Sequence, residues 1–178
     1  MEGDAGQNHI SFYTATILGW KQLLKPDKYK NIAVESLRFL VLEKRVKLYG
    51  FVIMPNHIHL LWRMLPDWRL ESVQRDFMKY TSQMIKLDLR THHPLVLEKF
   101  YVGLKDRQYQ FWQRNSLSKV LSSRYMVEQK LNYIHNNPVQ GKWLLADSPL
   151  GYTYSSVRFY EEGDKTYDFL THYLEDLG

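Results

Sequence analysis

Residues 51–62, FVIMPNHIHLLW, place two histidines in a stretch that is otherwise apolar and β-branched. The dipeptide Pro-Asn in its middle predicts a tight turn, so that residues 47–64 form a β-hairpin. Because side chains alternate along a strand, His57 and His59 point to the same face of the second strand. Two imidazoles about 6–7 Å apart on one face can bind one metal ion.

The histidine pair alone is a weak signal. With 7 histidines in the chain, a His-x-His pair arises by chance about one time in four, and two half-exposed histidines that bond to their neighbours remain an alternative. Cysteine is absent, so further ligands would be His, Asp, Glu, Asn, Gln or water. Neutral nitrogens with oxygen ligands suit Mg²⁺, Mn²⁺ or Zn²⁺ without choosing among them.

The composition is typical of a single folded domain. The chain has 178 residues, of which 44% are hydrophobic and 24% charged, enough for a substantial core. We expect one domain over residues 9–178, with a C-terminal extension from about residue 145, and a disordered or expression-derived end over residues 1–8. Because the chain lacks cysteine and any apolar run of about 18 residues, we expect a cytoplasmic protein with no membrane partner.

Charge and aromatic content permit nucleic acid binding. The net charge is +5, and the chain contains 13 Tyr, 8 Phe and 5 Trp. Bases stack on exposed aromatic rings while cations hold phosphates, which is what a single-stranded nucleic acid needs. The alternative is that most of these rings fill the core. Trp62 and Trp112 are candidates for stacking, and the core is the plainer interpretation of both.

The order of predicted elements indicates the fold class. Strands are predicted over 10–18, 47–54, 57–64 and 109–113, with a further extended piece over 117–121. Helices are predicted near 28–45, 69–90 and 123–136, and a last one near the C-terminus. This βαββαβ order predicts an α+β, ferredoxin-like antiparallel sheet with helices on one face, plus a tyrosine-bearing helix and a helical tail. The other face of the sheet is expected to stay available for a site.

The helix over 69–90 carries two kinds of stripe. Its apolar residues recur at helical spacing and predict a buried row: Val73, Phe77, Tyr80, Met84 and Leu87. Its cations fall on another side of the helix: Arg75, Lys79, Lys86 and Arg90. That side is either a solvated face or a row of phosphate contacts, and the spacing does not decide between the two.

The helix over 123–136 also has two stripes. One is apolar and should face the core: Val127, Leu131 and Ile134. The second lies about a quarter turn away: Met126, Lys130, Tyr133 and Asn137. The plain interpretation is a boundary tyrosine and a helix-end asparagine before a proline.

The motifs together resemble a known family. MPNHIHLLW, a basic helix with KYTS, and YIHNNPV follow one another as in the REP-associated tyrosine transposases. These belong to the single-tyrosine HUH transposases of the insertion-sequence type, which act on single-stranded DNA. HUH stands for histidine, a hydrophobic residue and histidine, here His57, Ile58 and His59. The resemblance spans about residues 9–160.

The resemblance implies roles for individual residues. Tyr133, four residues before Asn-Pro, would be the nucleophile, and His57, His59 and Asn137 would hold Mg²⁺ or Mn²⁺. Attack on DNA would leave a 5′-phosphotyrosine and a free 3′-hydroxyl, from which strands can be rejoined without ATP. The implied partner is single-stranded DNA with a hairpin, either REP-like or an insertion-sequence end.

The resemblance also implies DNA contacts through four cations: Arg75, Lys79, Lys86 and Lys130. It leaves the assembly open, since insertion-sequence relatives are typically homodimers whose tyrosine helix serves the partner, whereas REP-associated ones can work as monomers. Two other functions fit the same residues. One is a domesticated protein that binds nucleic acid without cutting it, and the other is a metal-dependent phosphodiesterase that activates water. A covalent protein–DNA adduct separates both from a transposase.

Overall fold

The computed structural model describes residues 9–178. The expectation for residues 1–8 lies outside the described part of the chain. The strands are β1 (Ser11–Thr16), β2 (Val46–Ile53), β3 (His57–Met64), β4 (Tyr101–Leu104), β5 (Arg107–Tyr109) and β6 (Leu117–Val120). The α-helices are α1 (Asp27–Leu42), α2 (Leu70–His92), α3 (Pro94–Glu98), α4 (Arg124–Asn136), α5 (Val157–Glu162) and α6 (Leu174–Leu177).

A four-stranded antiparallel sheet in the order β2-β3-β1-β6 forms the centre of the fold. The predicted α+β class is therefore confirmed, as is the hairpin of β2 and β3. In the register of β1 with β3, Thr14 lies opposite His59 and Thr16 opposite His57. The two threonines therefore share a sheet face with the two histidines.

One face of this sheet packs on α1 and α2. Strand residues that point this way belong to the largest buried cluster: Tyr13, Ala15, Ile17, Ile58, Leu60 and Trp62. The buried row of α2 differs from the predicted one and consists of Val73, Phe77, Thr81, Ile85 and Leu89. Tyr80, Met84 and Leu87 are exposed. The row shifts because residues 107–116 pack on the middle of α2, where the Trp112 indole donates to Thr81 Oγ1 at 3.1 Å.

The opposite face is covered in part by α4. Val127, Leu131 and Ile134 are buried, as predicted, in a second cluster with residues of β2 and β3. Gly50 permits this close approach, because a Cβ there would lie 2.7 Å from Leu131 Cδ1. The face expected to stay available for a site is therefore covered in part by α4, over β2 and β3.

The fourth strand of the sheet is not the predicted one. Residues 109–113 were expected to supply it, yet β5 ends at Tyr109 and pairs with β4 in a separate two-stranded sheet. Phe111 and Trp112 are instead core residues that pass the end of β1. The fourth strand is β6, whose four side chains are all exposed. β6 falls within the extended piece predicted over 117–121, but an edge strand without a buried face has no alternating pattern from which its place in the sheet could be predicted.

The C-terminal residues fold back on the sheet. Thr171 N donates to Leu48 O at 2.9 Å. The carboxylate of Asp176 accepts hydrogen bonds from Lys47, Tyr49 and Arg63 at 2.8–3.0 Å. The tail is therefore tied to β2 and β3, and its last helix is shorter than predicted. Over residues 9–178, every helix is too short or too polar to span a lipid bilayer.

Candidate active site

Strand β3 places both histidines on the sheet face that α4 covers. His57 and His59 are 7% and 5% exposed, and their ring centroids lie 4.7 Å apart. The alternation predicted from the sequence thus brings the two imidazoles side by side. Each Nδ1 atom lies within hydrogen-bond distance of a polar neighbour.

Asn56 orients the ring of His57. The Asn56 amide nitrogen donates to the carbonyl oxygen of Trp20 at 3.2 Å, which leaves Asn56 Oδ1 facing His57 Nδ1 at 2.7 Å. Because an amide oxygen only accepts, Nδ1 of His57 carries the proton and donates it. The lone pair of His57 is therefore on Nε2.

Thr14 is the neighbour of Nδ1 of His59, and its hydroxyl can either accept from that nitrogen or donate to it. Its Oγ1 lies 2.8 Å from His59 Nδ1, and the ring of Phe12 stacks on the imidazole with centroids 5.1 Å apart. Nε2 of His59 is buried and has no hydrogen-bond partner among the described residues. A buried nitrogen without a partner is costly unless a ligand completes it.

Burial keeps both histidines neutral. It lowers the pKa of His59 to about 3, and the nearby His57 and the charge of Lys130 lower it further. Burial also lowers the pKa of His57, an effect that the contact with Asn137 opposes and the charge of Lys142 reinforces. The neutral imidazole is the form that binds metal ions.

Asn137 brings a third donor atom to the pair. It follows α4, is 8% exposed, and its Oδ1 lies 3.1 Å from His57 Nε2. Two lone pairs at this distance repel unless a proton or a cation lies between them. Ligands of one ion, each bound at about 2.0–2.2 Å, lie about 3.0–3.4 Å apart. Nε2 of His57 and Oδ1 of Asn137 are therefore spaced as two ligands of one divalent cation would be, and the unpartnered Nε2 of His59 is the candidate for a third ligand.

Carboxylates do not complete this donor set. Over residues 9–178, the chain nowhere gathers three His, Cys, Asp or Glu side chains that could hold a metal ion. The candidate site thus depends on an amide oxygen as its third protein ligand, and water would fill further positions.

Helix α4 presents Tyr133 at the mouth of the site. Ser123 caps the helix by accepting from Met126 N at 3.2 Å. The Tyr133 ring is 43% exposed, with its centroid 5.3 Å from that of His59. Lys130 Nζ lies 5.4 Å from the centre of the same ring. A phenol that solvent can reach thus lies between the imidazoles and an ammonium group.

The remaining predicted DNA contacts lie elsewhere. Arg75, Lys79 and Lys86 line a groove of about 640 Å³ between α2 and residues 107–116. Arg107 and Arg114 line it as well, and we call it the cationic groove. Because α2 packs on the opposite face of the sheet from α4, the groove does not join the histidine site. Of the four predicted cations, Lys130 alone is placed beside Tyr133.

Several residues around the histidines were missed by the sequence analysis: Phe12, Thr14, Trp20 and Trp143. Alternation along β1 puts Phe12 and Thr14 on one face, but their pairing with β3 has no sequence signal. Trp62 and Trp112, the named candidates for stacking, are 0% and 5% exposed and belong to the core. The plainer interpretation of both tryptophans is therefore right.

Comparisons with known proteins identify a family and a fold. The family model described as "Transposase IS200 like" matches residues 20–137, which include both histidines, Tyr133 and Asn137. A solved REP-associated tyrosine transposase bound to a REP hairpin has the same fold, with a TM-score of 0.64 and 19% identity over 88% of this chain and 82% of that one. A candidate transposase from Deinococcus radiodurans R1 has a TM-score of 0.47 and 16% identity over 76% of this chain and 96% of its own.

No match is found among curated protein sequences. The family match nevertheless covers more than half of the chain, and the motif resemblance stated from the sequence is confirmed. The chain belongs to the IS200-like transposase family.

Proposed function

We propose that this protein is a metal-dependent, REP-associated type of transposase that cleaves single-stranded hairpin DNA through a 5′-phosphotyrosine intermediate and rejoins the strands. One observation carries the proposal: the accessible Tyr133 ring lies 5.3 Å from His59, whose buried Nε2 lacks a partner among the described residues. The similar solved transposase is bound to a REP hairpin, which supports the substrate class.

The metal ligands in this proposal are His57, His59 and Asn137. When bound there, Mg²⁺ or Mn²⁺ would polarise the scissile phosphate and stabilise the charge that develops on it. The protein's own contribution is to prepare the ligands. Asn56 accepts from Nδ1 of His57, so that its Nε2 lone pair faces the site, and in the proposed metal-bound form Thr14 accepts from Nδ1 of His59 in the same way. Burial keeps the rings neutral.

Tyr133 performs the covalent step. Its phenolic oxygen loses a proton to solvent and attacks phosphorus, and the bond from phosphorus to the 3′-oxygen breaks. The leaving strand takes up a proton as a 3′-hydroxyl, and the 5′-phosphate stays on Tyr133. Lys130 is placed to hold a phosphate oxygen during this exchange. Attack by a 3′-hydroxyl on the phosphotyrosine reverses the step and rejoins DNA.

We further propose that Tyr133 serves the histidines of its own chain. Both lie in one fold at contact distance, so that a single chain holds the complete set. Mixing Tyr133→Phe with His57→Ala should then leave the adduct absent, because neither protein contains an intact site. Recovery of about a quarter or more of the wild-type adduct would instead establish a homodimer with exchanged tyrosine helices.

The cationic groove is proposed to hold the DNA backbone away from the cut. Its cations, among them Arg75, Lys79 and Lys86, would neutralise phosphates without reading bases. Replacing Lys79 by Gln should weaken DNA binding and lower the slope of log Kd against log salt concentration by about one. An unchanged slope would remove Lys79 from the contacts. Lys165→Gln, which removes the same charge at an exposed lysine that does not line the groove, serves as the control for net charge.

A denaturing gel tests the proposed reaction. Labelled hairpin DNA from beside the gene is incubated with Mn²⁺ or Mg²⁺ and with the wild type, Tyr133→Phe or His57→Ala. Tyr125→Phe is the matched control, since Tyr125 lies on the same helix and is 72% exposed. We expect a slow band that needs metal, His57 and Tyr133, and that Tyr125→Phe retains.

The other outcomes assign the alternative functions. Cleavage without the slow band, unaffected by Tyr133→Phe, would indicate a phosphodiesterase that activates water. Binding with neither cleavage nor adduct would indicate a domesticated DNA-binding protein. Either outcome overturns the transposase proposal.

A further inference from the structure

Trp20 is an exposed tryptophan at the rim of the histidine site. It is 60% exposed, and its ring centroid lies 6.4 Å from that of His57. A single exposed apolar side chain is common on protein surfaces and needs no explanation by itself. The backbone of Trp20 gives the second observation.

Trp20 has a φ of +56°, directly after Gly19 with a φ of +64°. Bulky residues rarely adopt this left-handed conformation, and where they do, the surrounding structure must hold them there. Trp20 N donates to Ile17 O at 2.9 Å, and Trp20 O accepts from the Asn56 amide at 3.2 Å. The same amide orients His57, so the backbone of Trp20 is tied to the position of a metal-ligand candidate.

A second indole, that of the half-buried Trp143, lies beside the same imidazole. The centroid of Trp143 is 6.2 Å from that of His57, and Lys142 Nζ lies 5.5 Å from the Trp143 ring. Exposed aromatic rings next to a cation are the features by which proteins hold single-stranded nucleic acid. Inside a duplex both faces of each base are covered by neighbouring pairs, so such a ring favours an unpaired base over a base within the duplex.

We propose that Trp20 stacks on an unpaired base next to the phosphate that Tyr133 cuts. The inference rests on the proposed function and adds a base-binding subsite to it. Since every base has a π-face, the subsite discriminates between unpaired and paired nucleotides more than between base identities. Trp20 thereby positions the single-stranded flank of the hairpin. The hydrogen bond between its backbone and Asn56 holds this subsite at a fixed distance from the histidines.

An abasic scan tests the subsite. Hairpin oligonucleotides carry one abasic nucleotide at each position on either side of the cut, and their Kd values are measured by fluorescence anisotropy in the non-cleaving Tyr133→Phe background. We expect one abasic position to weaken binding about tenfold or more. Adding Trp20→Ala to Tyr133→Phe should weaken binding of the intact oligonucleotide by the same factor. The double variant should then lose no further affinity when that one position is abasic.

Two more variants guard against a folding defect. Trp20→Gly removes the ring and suits the left-handed backbone, so it should fold and bind as weakly as Trp20→Ala. Trp20→Phe should retain most of the affinity, and Phe39→Ala, an exposed ring on α1, should change nothing. The inference would be overturned if Trp20→Ala lowered the affinity further at every abasic position. It would also be overturned if Trp20→Ala and Trp20→Gly both bound the intact oligonucleotide with unchanged affinity.

The two proposals fail in different ways. If the wild type forms no adduct on the gel, the transposase function fails whatever the abasic scan shows. If the adduct forms but the effects of Trp20→Ala and of every abasic position on Kd are independent of each other, the stacking subsite alone is wrong.

Discussion

The face of the sheet that packs on α1 and α2 and the face that packs on α4 differ in what they bury. On β3, Ile58, Leu60 and Trp62 point to the first face and are all 0% exposed. His57 and His59, between and beside them, point to the second face and are buried with polar neighbours. Stability and chemistry are thus separated by a single position along one strand, so adjacent substitutions should have effects of different kinds.

The largest expected effects come from the neighbours Leu60 and His59. Leu60→Ala should lower the free energy of unfolding by about 2–5 kcal/mol, because it leaves a cavity in a fully buried cluster. The cleavage rate per folded molecule should stay near that of the wild type. Urea unfolding and a rate corrected for the folded fraction measure the two quantities.

His59→Gln should impair the reaction and spare the stability of the fold. It should lower the rate of adduct formation at least about a hundredfold, since charge stabilisation at the phosphate is lost, and leave the free energy of unfolding nearly unchanged. The wild-type and variant rates are measured at saturating Mn²⁺. A variant that unfolds more easily but cleaves normally would show that His59 belongs to the structural part of the sheet.

Thr14→Val should have a smaller effect on the α4 face. Valine keeps the shape of threonine but removes the oxygen that lies 2.8 Å from His59 Nδ1. Because partners of metal-ligating histidines raise affinity, Mn²⁺ binding should weaken about tenfold. Calorimetry with Mn²⁺ in the absence of DNA measures the change.

Thr16→Val is the matched control, since Thr16 lies on β1 like Thr14 and is paired with His57 of β3. Equal losses in Thr14→Val and Thr16→Val would mean that the polarity of the strand, rather than one hydrogen bond, prepares the site.

The smallest effect is expected at Asp176, where the tail meets β2 and β3. Burial alone would raise its pKa, but hydrogen bonds from Lys47 and Tyr49 and the charge of Arg63 outweigh burial and hold the pKa below its usual value. The ionised form therefore stabilises the fold above the ordinary aspartate pKa of about 3.9. This stability is lost as the pH falls through the lowered folded pKa.

Asp176→Asn should accordingly lower the free energy of unfolding by about 1 kcal/mol at pH 7. The difference from the wild type should shrink as the pH falls below about 4. Thermal unfolding followed from pH 3 to pH 7 tests this, and a difference that grows at low pH would contradict it. Cleavage should be retained, which would place the tail among the structural parts of this face.

The sequence predicts strongly patterned segments well and long-range pairing poorly. The hairpin around Pro55, the side of β3 that carries His57 and His59, and the buried row of α4 all follow from local periodicity. The pairing of β6 with β1 does not, because the side chains of β6 are exposed on both sides and show no buried face. Thr81 replaces Tyr80 in the buried row of α2 because of Trp112, a residue distant in sequence.

The candidate site divides in the same way. The motifs predict His57, His59, Tyr133 and Asn137, and the structure brings them together. Thr14 and Trp20 were missed because their place depends on strand register and on a left-handed turn. Both arise only when distant segments pack.

The proximity of Tyr133 to the histidines of its own chain has a kinetic consequence. A reaction whose nucleophile and ligands belong to one molecule has a rate that is first order in protein. The rate of a reaction that needs a partner's tyrosine falls with the square of the protein concentration once the dimer dissociates. Specific activity of the proposed transposase should therefore be constant on dilution to the lowest measurable concentration. Such a protein could act on DNA in a cell that contains only a few copies of it.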